Sequence, residues 1–225
     1  MKAVAIILIT ICIFYLMSKL YARFSTPFLL PILTTTIIGV FILALGNIPY
    51  ETYMTGGKWI DVMLGPAVVS LAYPLYTQRH MIKTYKLSII SGVIVAMISG
   101  LISVFALAKL MRFDDEMVRS LLPKSITTPV AMQVSDSLGG IPPMTAVFVM
   151  VAGFTGAILG PFIFRVCKID TAVSRGVSMG GGAHGFGVSK LTEYGEKTLS
   201  MGSVSMTLSA VIGAFICPLF AMLIF

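Results

Sequence analysis

Long apolar runs separated by short polar stretches make up most of this chain. A helix needs about 20 apolar residues to cross the hydrocarbon core of a bilayer. The pattern therefore predicts an all-α, polytopic integral membrane protein, with about six spanning helices in a single transmembrane domain of residues 1–225. Polar residues at 47–58 predict a loop, and mixed charges at 109–122 predict a short helix at the membrane interface. The predicted spanning helices cover residues 3–18, 27–46, 59–76, 87–108, 141–164 and 198–225.

Two polar stretches interrupt this pattern where a membrane is expected. One covers about 123–138 and opens with PKSITTP at 123–129, and the other covers about 171–192 and contains GGGAHGFG at 180–187. Broken backbone at membrane depth persists only where protein or a water-filled cavity satisfies its polar groups. Such interrupted segments mark the binding sites of transporters. We therefore predict two broken or re-entrant elements beside the spanning helices.

Prolines predict further breaks, and short strings recur along the chain. Pro66, Pro129 and Pro161 are predicted to interrupt helices, because proline lacks the N–H that a helix interior needs. Duplicated halves are common in transporters, so the recurrence suggests an internal duplication, with chance as the alternative. The strings that recur are TP at 26–27 and 128–129, and LGP at 64–66 and 159–161.

Composition agrees with a membrane protein and narrows the classes of partner. The chain is 57% hydrophobic and 11% charged, with a mean hydropathy of +0.97, whereas soluble domains carry roughly 25% charged residues. The net charge of +7 comes from basic residues in short loops, as the positive-inside rule expects. We therefore expect no nucleic-acid partner. The three cysteines lie far apart in apolar runs, and we expect no metal and no cofactor.

Lys124 is the first candidate for binding a solute. A lysine inside the membrane costs about 2.5 to 3.5 kcal/mol, and here three hydroxyls, of Ser125, Thr127 and Thr128, accompany it. A helix that begins near Pro129 would direct its positive N-terminal end to the same place. These groups suit an anion, most simply a carboxylate. The alternative is that Lys124 extends to the interface and Thr128 caps a helix.

The glycine-rich stretch is the second candidate. Backbone amides at Gly181, Gly182, Gly185 and Gly187 can approach a ligand closely and form an anion-binding nest. His184 among them can donate, accept or take up a proton near neutral pH. The alternatives are a packed, neutral histidine and glycines that only let helices cross closely.

Asp136, in the first interrupted stretch, is a candidate for coupling. It could pair with Lys124 or hold a coupling cation, and pairing is the more economical interpretation because an isolated buried charge is so unfavourable. Protonation of His184 or Asp136 would couple transport to a proton gradient.

The last predicted span is rich in small residues, which suit close packing of membrane helices. We interpret them as packing residues: Gly202, Ser203, Ser205, Ser209 and Gly213.

Catalytic and channel motifs are absent from the sequence. It has neither a His-Glu-x-x-His pair nor a Gly-x-Ser-x-Gly elbow, and we predict that the protein is not an enzyme. A hydrolase built on Lys124, Ser125 and His184 is an alternative without a readable triad. A cation channel using Asp61 and Asp136 ranks last, because it lacks a selectivity filter.

Four strings, in this order, resemble the LrgB/CidB family over essentially the whole chain. Members of that family commonly have Ser before the His-Gly string, where this chain has Ala183, so a hydroxyl contact is not expected there. The strings are LGPA at 64–67 with PLY at 74–76, PKSITTPVA at 123–131, GGIP at 139–142 and HGFG at 184–187.

The resemblance implies a multi-pass protein of the bacterial cell membrane. Bacterial members are typically named holin-like or antiholin-like, and are described as modulators of murein hydrolase activity, autolysis and cytolysis. They commonly work beside a small LrgA/CidA-type membrane protein. The plastid glycolate/glycerate transporter resembles a fusion of the two, and other members are associated with pyruvate and similar carboxylates.

The resemblance therefore implies transport of a small organic anion of the pyruvate, glycolate or lactate class by alternating access, with lysis as a downstream effect. A holin-like pore or regulator of murein hydrolases is the alternative. We also expect a homo-oligomer, and a dimer in particular, because two-fold assemblies predominate.

Overall fold

The computed structural model describes residues 2–24, 26, 29, 31–70 and 72–225. The elements in these ranges are helical and no strand occurs among them, which confirms the all-α prediction. Two 3₁₀ turns, Leu122–Ser125 and Leu191–Tyr194, follow α7 and α10. The helices are α1 (Lys2–Phe24), α2 (Pro31–Leu45), α3 (Tyr50–Val62), α4 (Leu64–Ser70), α5 (Ala72–Thr77), α6 (Arg79–Leu110), α7 (Asp115–Leu121), α8 (Thr128–Ser137), α9 (Pro142–Val166), α10 (Ala172–Lys190) and α11 (Glu196–Ile224).

Five helical stretches of the described chain are long and apolar enough to cross a membrane. The shorter apolar helix α2 brings the number close to the six predicted spans. The predicted start of the second span, at Pro27, lies outside the described residues. The five stretches are Ala3–Phe24, Tyr50–Thr77, Arg79–Leu110, Pro142–Val166 and Glu196–Ile224.

Two polar regions differ from the sequence predictions, one with more helix than expected and one with less. The predicted loop at 47–58 is helical from Tyr50 onward, because Gly56 there packs closely on α1: a Cβ atom on Gly56 would lie 2.7 Å from the Ala3 carbonyl oxygen. The predicted interfacial helix at 109–122 is shorter, since α7 begins at Asp115. Its N-cap is Asp114, whose side chain accepts a hydrogen bond from the Met117 amide at 3.2 Å.

The predicted proline breaks differ in outcome. Pro129 stands in the first turn of α8, and Pro66 stands in the first turn of α4, just after the chain turns at Met63. Proline is tolerated in a first turn because the missing N–H has no helical partner there. The prediction for Pro161 is wrong, because α9 continues through it. Membrane helices accept proline where neighbouring groups satisfy the freed carbonyl.

The hypothesis of an internal duplication stays a prediction. Its two LGP strings have different surroundings, since residues 64–66 open α4 whereas residues 159–161 lie inside α9.

Residues Met1–Ala67 form one compact unit. In it α1 packs against both α2 and α3, and the hydroxyls of Thr10 and Tyr53 are 3.4 Å apart. The three helices line a cavity of about 620 Å³ that contains no charged residue among its described lining. This cavity therefore does not suit an ionic solute.

Residues Val68–Phe225 form the second unit, in which α6, α9 and α11 surround α10. Fully buried apolar side chains from the long helices and from the interrupted segments fill its core, among them Met97, Leu122, Ile126, Leu191 and Met201.

The first interrupted stretch forms the tip and the returning leg of a helical hairpin, which we call the first hairpin (residues 115–137). Its entering leg is α7, which the sequence predicted as an interfacial helix. The chain enters through α7 and the turn Leu122–Ser125, is extended at Ile126 and Thr127, and returns as α8. Its two legs meet away from the tip, because Ser120 of α7 and Ser135 of α8 both lie within hydrogen-bond distance of the Thr145 hydroxyl.

The second interrupted stretch is also a hairpin, which we call the second hairpin (residues 172–194). Gly176 and Leu191 both pack against Gly202 of α11, although a straight helix would separate them by about 22 Å. The chain reverses at His184, whose backbone is not helical.

The two hairpins enter from opposite ends of α9. Thr145, near the start of α9, contacts the legs of the first hairpin. Phe164, near its end, stacks edge-on against Tyr194 of the second hairpin with ring centroids 5.7 Å apart. Each leg is about 15 Å long at 1.5 Å per residue, or half of a bilayer core of about 30 Å. The structure thus has the two predicted broken elements in their re-entrant form.

Candidate functional site

The tips of the two hairpins meet. The turn Leu122–Ser125 packs against α10, and the Lys124 ammonium is close enough to the His184 ring to interact with it electrostatically. Lys124 Nζ also donates a hydrogen bond to Ser125 Oγ at 3.2 Å. The structure therefore brings Lys124, Ser125 and His184, predicted from separate stretches, into one place.

This meeting point lies near the middle of the long helices. A Cβ atom on Gly100 of α6 would lie 3.4 Å from Ser125 Oγ. One turn away, Ala96 of α6 approaches Gly181 of the second hairpin, with 3.3 Å between its Cβ and a Cβ built on that glycine. Gly153, near the centre of α9, packs against the carbonyl of Ala183 and the ring of Phe186.

The first tip presents an open helix start. Thr127 is the N-cap of α8, with extended backbone angles of φ −61° and ψ 139°, but its side chain makes no capping hydrogen bond. Its hydroxyl is buried without a partner among the described residues. Because the first amides of a helix lack partners within the helix, this end of α8 carries a partial positive charge beside Lys124.

The second tip places a strained histidine at the turn. His184 has φ +47° and ψ −140°, a conformation that costs a residue other than glycine about 1 to 3 kcal/mol. Its side chain is 2% exposed, and neither ring nitrogen has a hydrogen-bond partner of good geometry in the described chain. The Gly180 carbonyl, one turn earlier, lies near the ring without meeting that geometry. A buried imidazole without partners is costly, so this position favours a bound polar group.

The charge of Lys124 is not balanced by an acid in the described chain. The ion pairs found there are Lys109–Asp115, Arg175–Asp170 and Lys190–Glu193, all elsewhere. Asp136 does not reach Lys124, because it is exposed in the last turn of α8, about 12 Å along that helix from its start. The site thus holds a net positive charge, which suits an anion.

Some of the remaining residues predicted to bind the solute lie at the meeting point, and others lie away from it. Thr128 is half-buried in the first turn of α8. Gly187 packs against Met179 on the other leg of its own hairpin. Gly182 and Gly185 are exposed, and a Cβ on either would meet no atom within 4 Å. Successive residues of a helix point about 100° apart, so only Gly181 of the four predicted glycines faces the wall formed by α6 and α11.

Two serines that the sequence indicated only as packing residues lie beside the meeting point. Ser205 and Ser209 of α11 are fully buried, and their hydroxyls have no partner in the described chain. Ser209 Oγ lies 3.7 Å from the position of a Cβ on Gly181. Their spacing of four residues on a spanning helix was the signal that could have identified a shared polar face.

A buried hydroxyl network, which no sequence pattern indicated, joins the first hairpin to α9. The Thr145 hydroxyl lies 2.8 Å from the Ser120 carbonyl oxygen and 2.7 Å from Ser135 Oγ, and the Ile141 amide donates to Ser120 Oγ at 2.7 Å. Gly140 lies so close that a Cβ there would be 2.7 Å from Ser135 Oγ. This network fixes the legs of the first hairpin to α9.

Ala183, the residue at which this chain departs from the pattern expected from the resemblance, faces away from the meeting point. Its methyl group packs against Gly156 of α9 and Gly187 of the returning leg. The lack of a hydroxyl at residue 183 therefore removes no hydrogen-bonding group from the site.

Lys124 and Ser125 form the contact that the alternative hydrolase hypothesis requires. In the described chain, however, no carboxylate orients Lys124 or His184. The arrangement therefore lacks the third group that orients the base in a triad.

The chain is similar to known proteins over almost its whole length. A model of the LrgB-like family matches residues 10–223. The chain belongs to the LrgB-like family. It is 51% identical over 217 residues to the uncharacterized protein YxaC of Bacillus subtilis (strain 168), with 96% of this chain and 94% of YxaC covered. No solved structure matches.

A second relative carries a functional name. The chain is 33% identical over 225 residues to the holin-like protein CidB of Staphylococcus epidermidis (strain ATCC 12228 / FDA PCI 1200), covering 100% of this chain and 98% of CidB. The resemblance to the LrgB/CidB family is thus confirmed. The family and the names of its members point to a membrane protein that is not an enzyme.

Proposed function

We propose that this protein carries small organic anions, of the pyruvate, glycolate or lactate class, across a bacterial cell membrane. One observation carries the proposal: two re-entrant tips converge on Lys124, whose positive charge has no acidic partner in the described chain. A carboxylate would provide that partner through a charge-assisted hydrogen bond.

The groups around Lys124 support a small carboxylate over a larger anion. Ser125, Thr127 and the first amides of α8 offer hydrogen-bond donors on one side, and His184 offers a ring nitrogen on the other. The two tips approach each other closely, which favours a solute of few heavy atoms over a larger anion.

The entry of the hairpins from opposite ends of α9 supports alternating access. Each hairpin fills about half of the membrane thickness on the side from which it enters. Displacement of one hairpin would therefore open the site to that side only. Transporters of several folds bind solutes at such broken helices near the midplane. Protonation of His184 or Asp136 remains our proposal for coupling.

The names of the relatives favour the alternative, a holin-like activity that modulates murein hydrolases and lysis. That activity would require an oligomeric lesion wide enough for large solutes. A small LrgA/CidA-type membrane protein and a second copy of this chain are proposed partners under either function.

Uptake into proteoliposomes tests the proposal and separates the two functions. We expect labelled pyruvate, glycolate or lactate to enter, while entrapped fluorescent dextrans are retained. Lys124→Met should reduce uptake at least about tenfold, since one lost charged hydrogen bond is worth about 1.5 to 3 kcal/mol. Lys197→Met, at an exposed lysine beside Tyr85, is the matched control. Normal uptake by Lys124→Met would remove Lys124 from the site, and dextran release would support the holin-like alternative.

A further inference from the structure

Five of the hydroxyl side chains of α11 fall into two groups. Those of Thr198, Ser203 and Thr207 each donate to the carbonyl four residues earlier, at 2.9 to 3.0 Å. Such a bond to the helix's own backbone is the simplest way to satisfy a hydroxyl in a membrane helix. The hydroxyls of Ser205 and Ser209 make no such bond and have no other partner in the described chain.

The two hydroxyls without partners are also completely buried. Ser205 and Ser209 are both 0% exposed, and a buried hydroxyl without a partner costs about 1 to 3 kcal/mol. Close packing alone would be served by alanine at both positions without that cost. Both hydroxyls are therefore available to a hydrogen-bonding group that enters the site from outside the protein.

Their position joins the two tips. Ser205 packs against Gly180 and Ser209 against Gly181 of the second hairpin. One turn further along the same face of α11, Gly213 packs against Ile126 of the first tip. A solute held between Lys124 and His184 would thus have this face of α11 as a wall.

We propose that Ser205 and Ser209 contact the solute and determine specificity in the anion site, by hydrogen bonding to a polar group other than its carboxylate. This inference rests on the proposed function. Lysine and the amides of α8 can only donate, which suits a carboxylate. A serine hydroxyl both donates and accepts, so it can also recognise a hydroxyl group of the solute.

The proposal predicts discrimination between anions that differ by one hydroxyl. A site built to bond a hydroxyl rejects the analogue that lacks it, by factors of up to about 10⁴ to 10⁵. Lactate and propionate form such a pair, because propionate lacks the hydroxyl group of lactate. We expect the wild-type protein to take up lactate at least about tenfold faster than propionate at equal concentration.

The test compares Ser205→Ala/Ser209→Ala with Ser203→Ala and Thr207→Val in proteoliposomes. The double variant should lower the lactate-to-propionate uptake ratio about tenfold while propionate uptake persists. The two controls, whose hydroxyls are bonded to their own helix, should keep the wild-type ratio. If the double variant takes up both anions at an unchanged ratio, the role of the two serines is overturned but the proposed function is not. If the wild-type protein takes up no carboxylate, the proposed function is overturned and this role with it.

Cysteine labelling gives a second readout that needs no transport. In a chain whose Cys12, Cys167 and Cys217 are replaced by alanine, Ser209→Cys should react with a small anionic thiosulfonate reagent, and lactate should slow that reaction. Thr207→Cys is the control and should stay unreactive. A Ser209→Cys protein that stays unlabelled would overturn the proposal even if uptake is normal.

Discussion

The first and the second hairpin reach the same level of the protein by different physical means. The first has a turn of two residues with ordinary extended angles, at Ile126 and Thr127, and a buried hydroxyl network ties its legs to α9. The second reverses at one residue, His184, with a strained backbone, and its legs pack through glycine contacts.

This difference suggests a division of roles. Hydrogen bonds between buried groups are directional and hold one geometry, so the first hairpin is the fixed part of the site. Packing of glycine surfaces permits sliding, and strain at a turn accompanies segments with two conformations. In the proposed transport, we therefore expect the second hairpin to be the part that moves.

The largest effect on stability is expected in the first hairpin. Thr145→Val leaves the Ser120 carbonyl and Ser135 without their shared partner, and should lower the free energy of unfolding by about 2 to 3 kcal/mol. Thr155→Val is the control, because that exposed threonine bonds only to its own helix. Thermal unfolding in detergent measures both. Equal unfolding temperatures for the two variants would show that the network does not fix this hairpin.

A somewhat smaller effect is expected in the second hairpin. Gly180→Ala adds a methyl group 2.9 Å from the Met206 amide nitrogen, and such overpacking costs about 1 to 3 kcal/mol. Gly182→Ala, two residues away, meets open space and should be neutral or slightly stabilising. If both variants lost equal stability, the legs would not pack through that face.

The smallest effect on stability is expected at the strained turn, and its sign is opposite. His184→Gly should raise the free energy of unfolding by about 1 kcal/mol, because glycine adopts the +47° φ without strain. The same variant should reduce anion uptake, since it removes the ring. His184→Ala keeps the strain and loses the ring, so it should show the loss of uptake without the gain in stability. Normal uptake by both variants would place His184 outside the site.

Much of this arrangement could be predicted from local properties of the chain. Hydropathy located the membrane-spanning helices, because any helix that crosses a bilayer needs about 20 apolar residues. The break at Pro129 follows from the N–H that proline lacks. The break near His184 follows from the backbone freedom of the glycines around it. The same local rules failed at Pro161, through which α9 continues, because membrane helices tolerate proline where neighbouring groups satisfy the freed carbonyl.

The partners of each side chain could not be predicted in this way. Gly181 and Gly182 are neighbours in the sequence, yet one packs against Ser209 and the other meets open space. Ser203 and Ser205 look alike in the sequence, but only Ser203 bonds to its own helix. Which face of a helix is buried depends on the helices around it, and periodicity alone does not identify them.

The amino-acid sequence by itself determined that this chain is a helical membrane protein of the LrgB-like family with two interruptions, because hydropathy and backbone sterics act over short stretches. Only the tertiary structure decided that both interruptions turn back, enter from opposite ends of α9 and bring Lys124 to His184. Those contacts join residues about 60 positions apart, and they exist because the helices between them fold the chain back on itself.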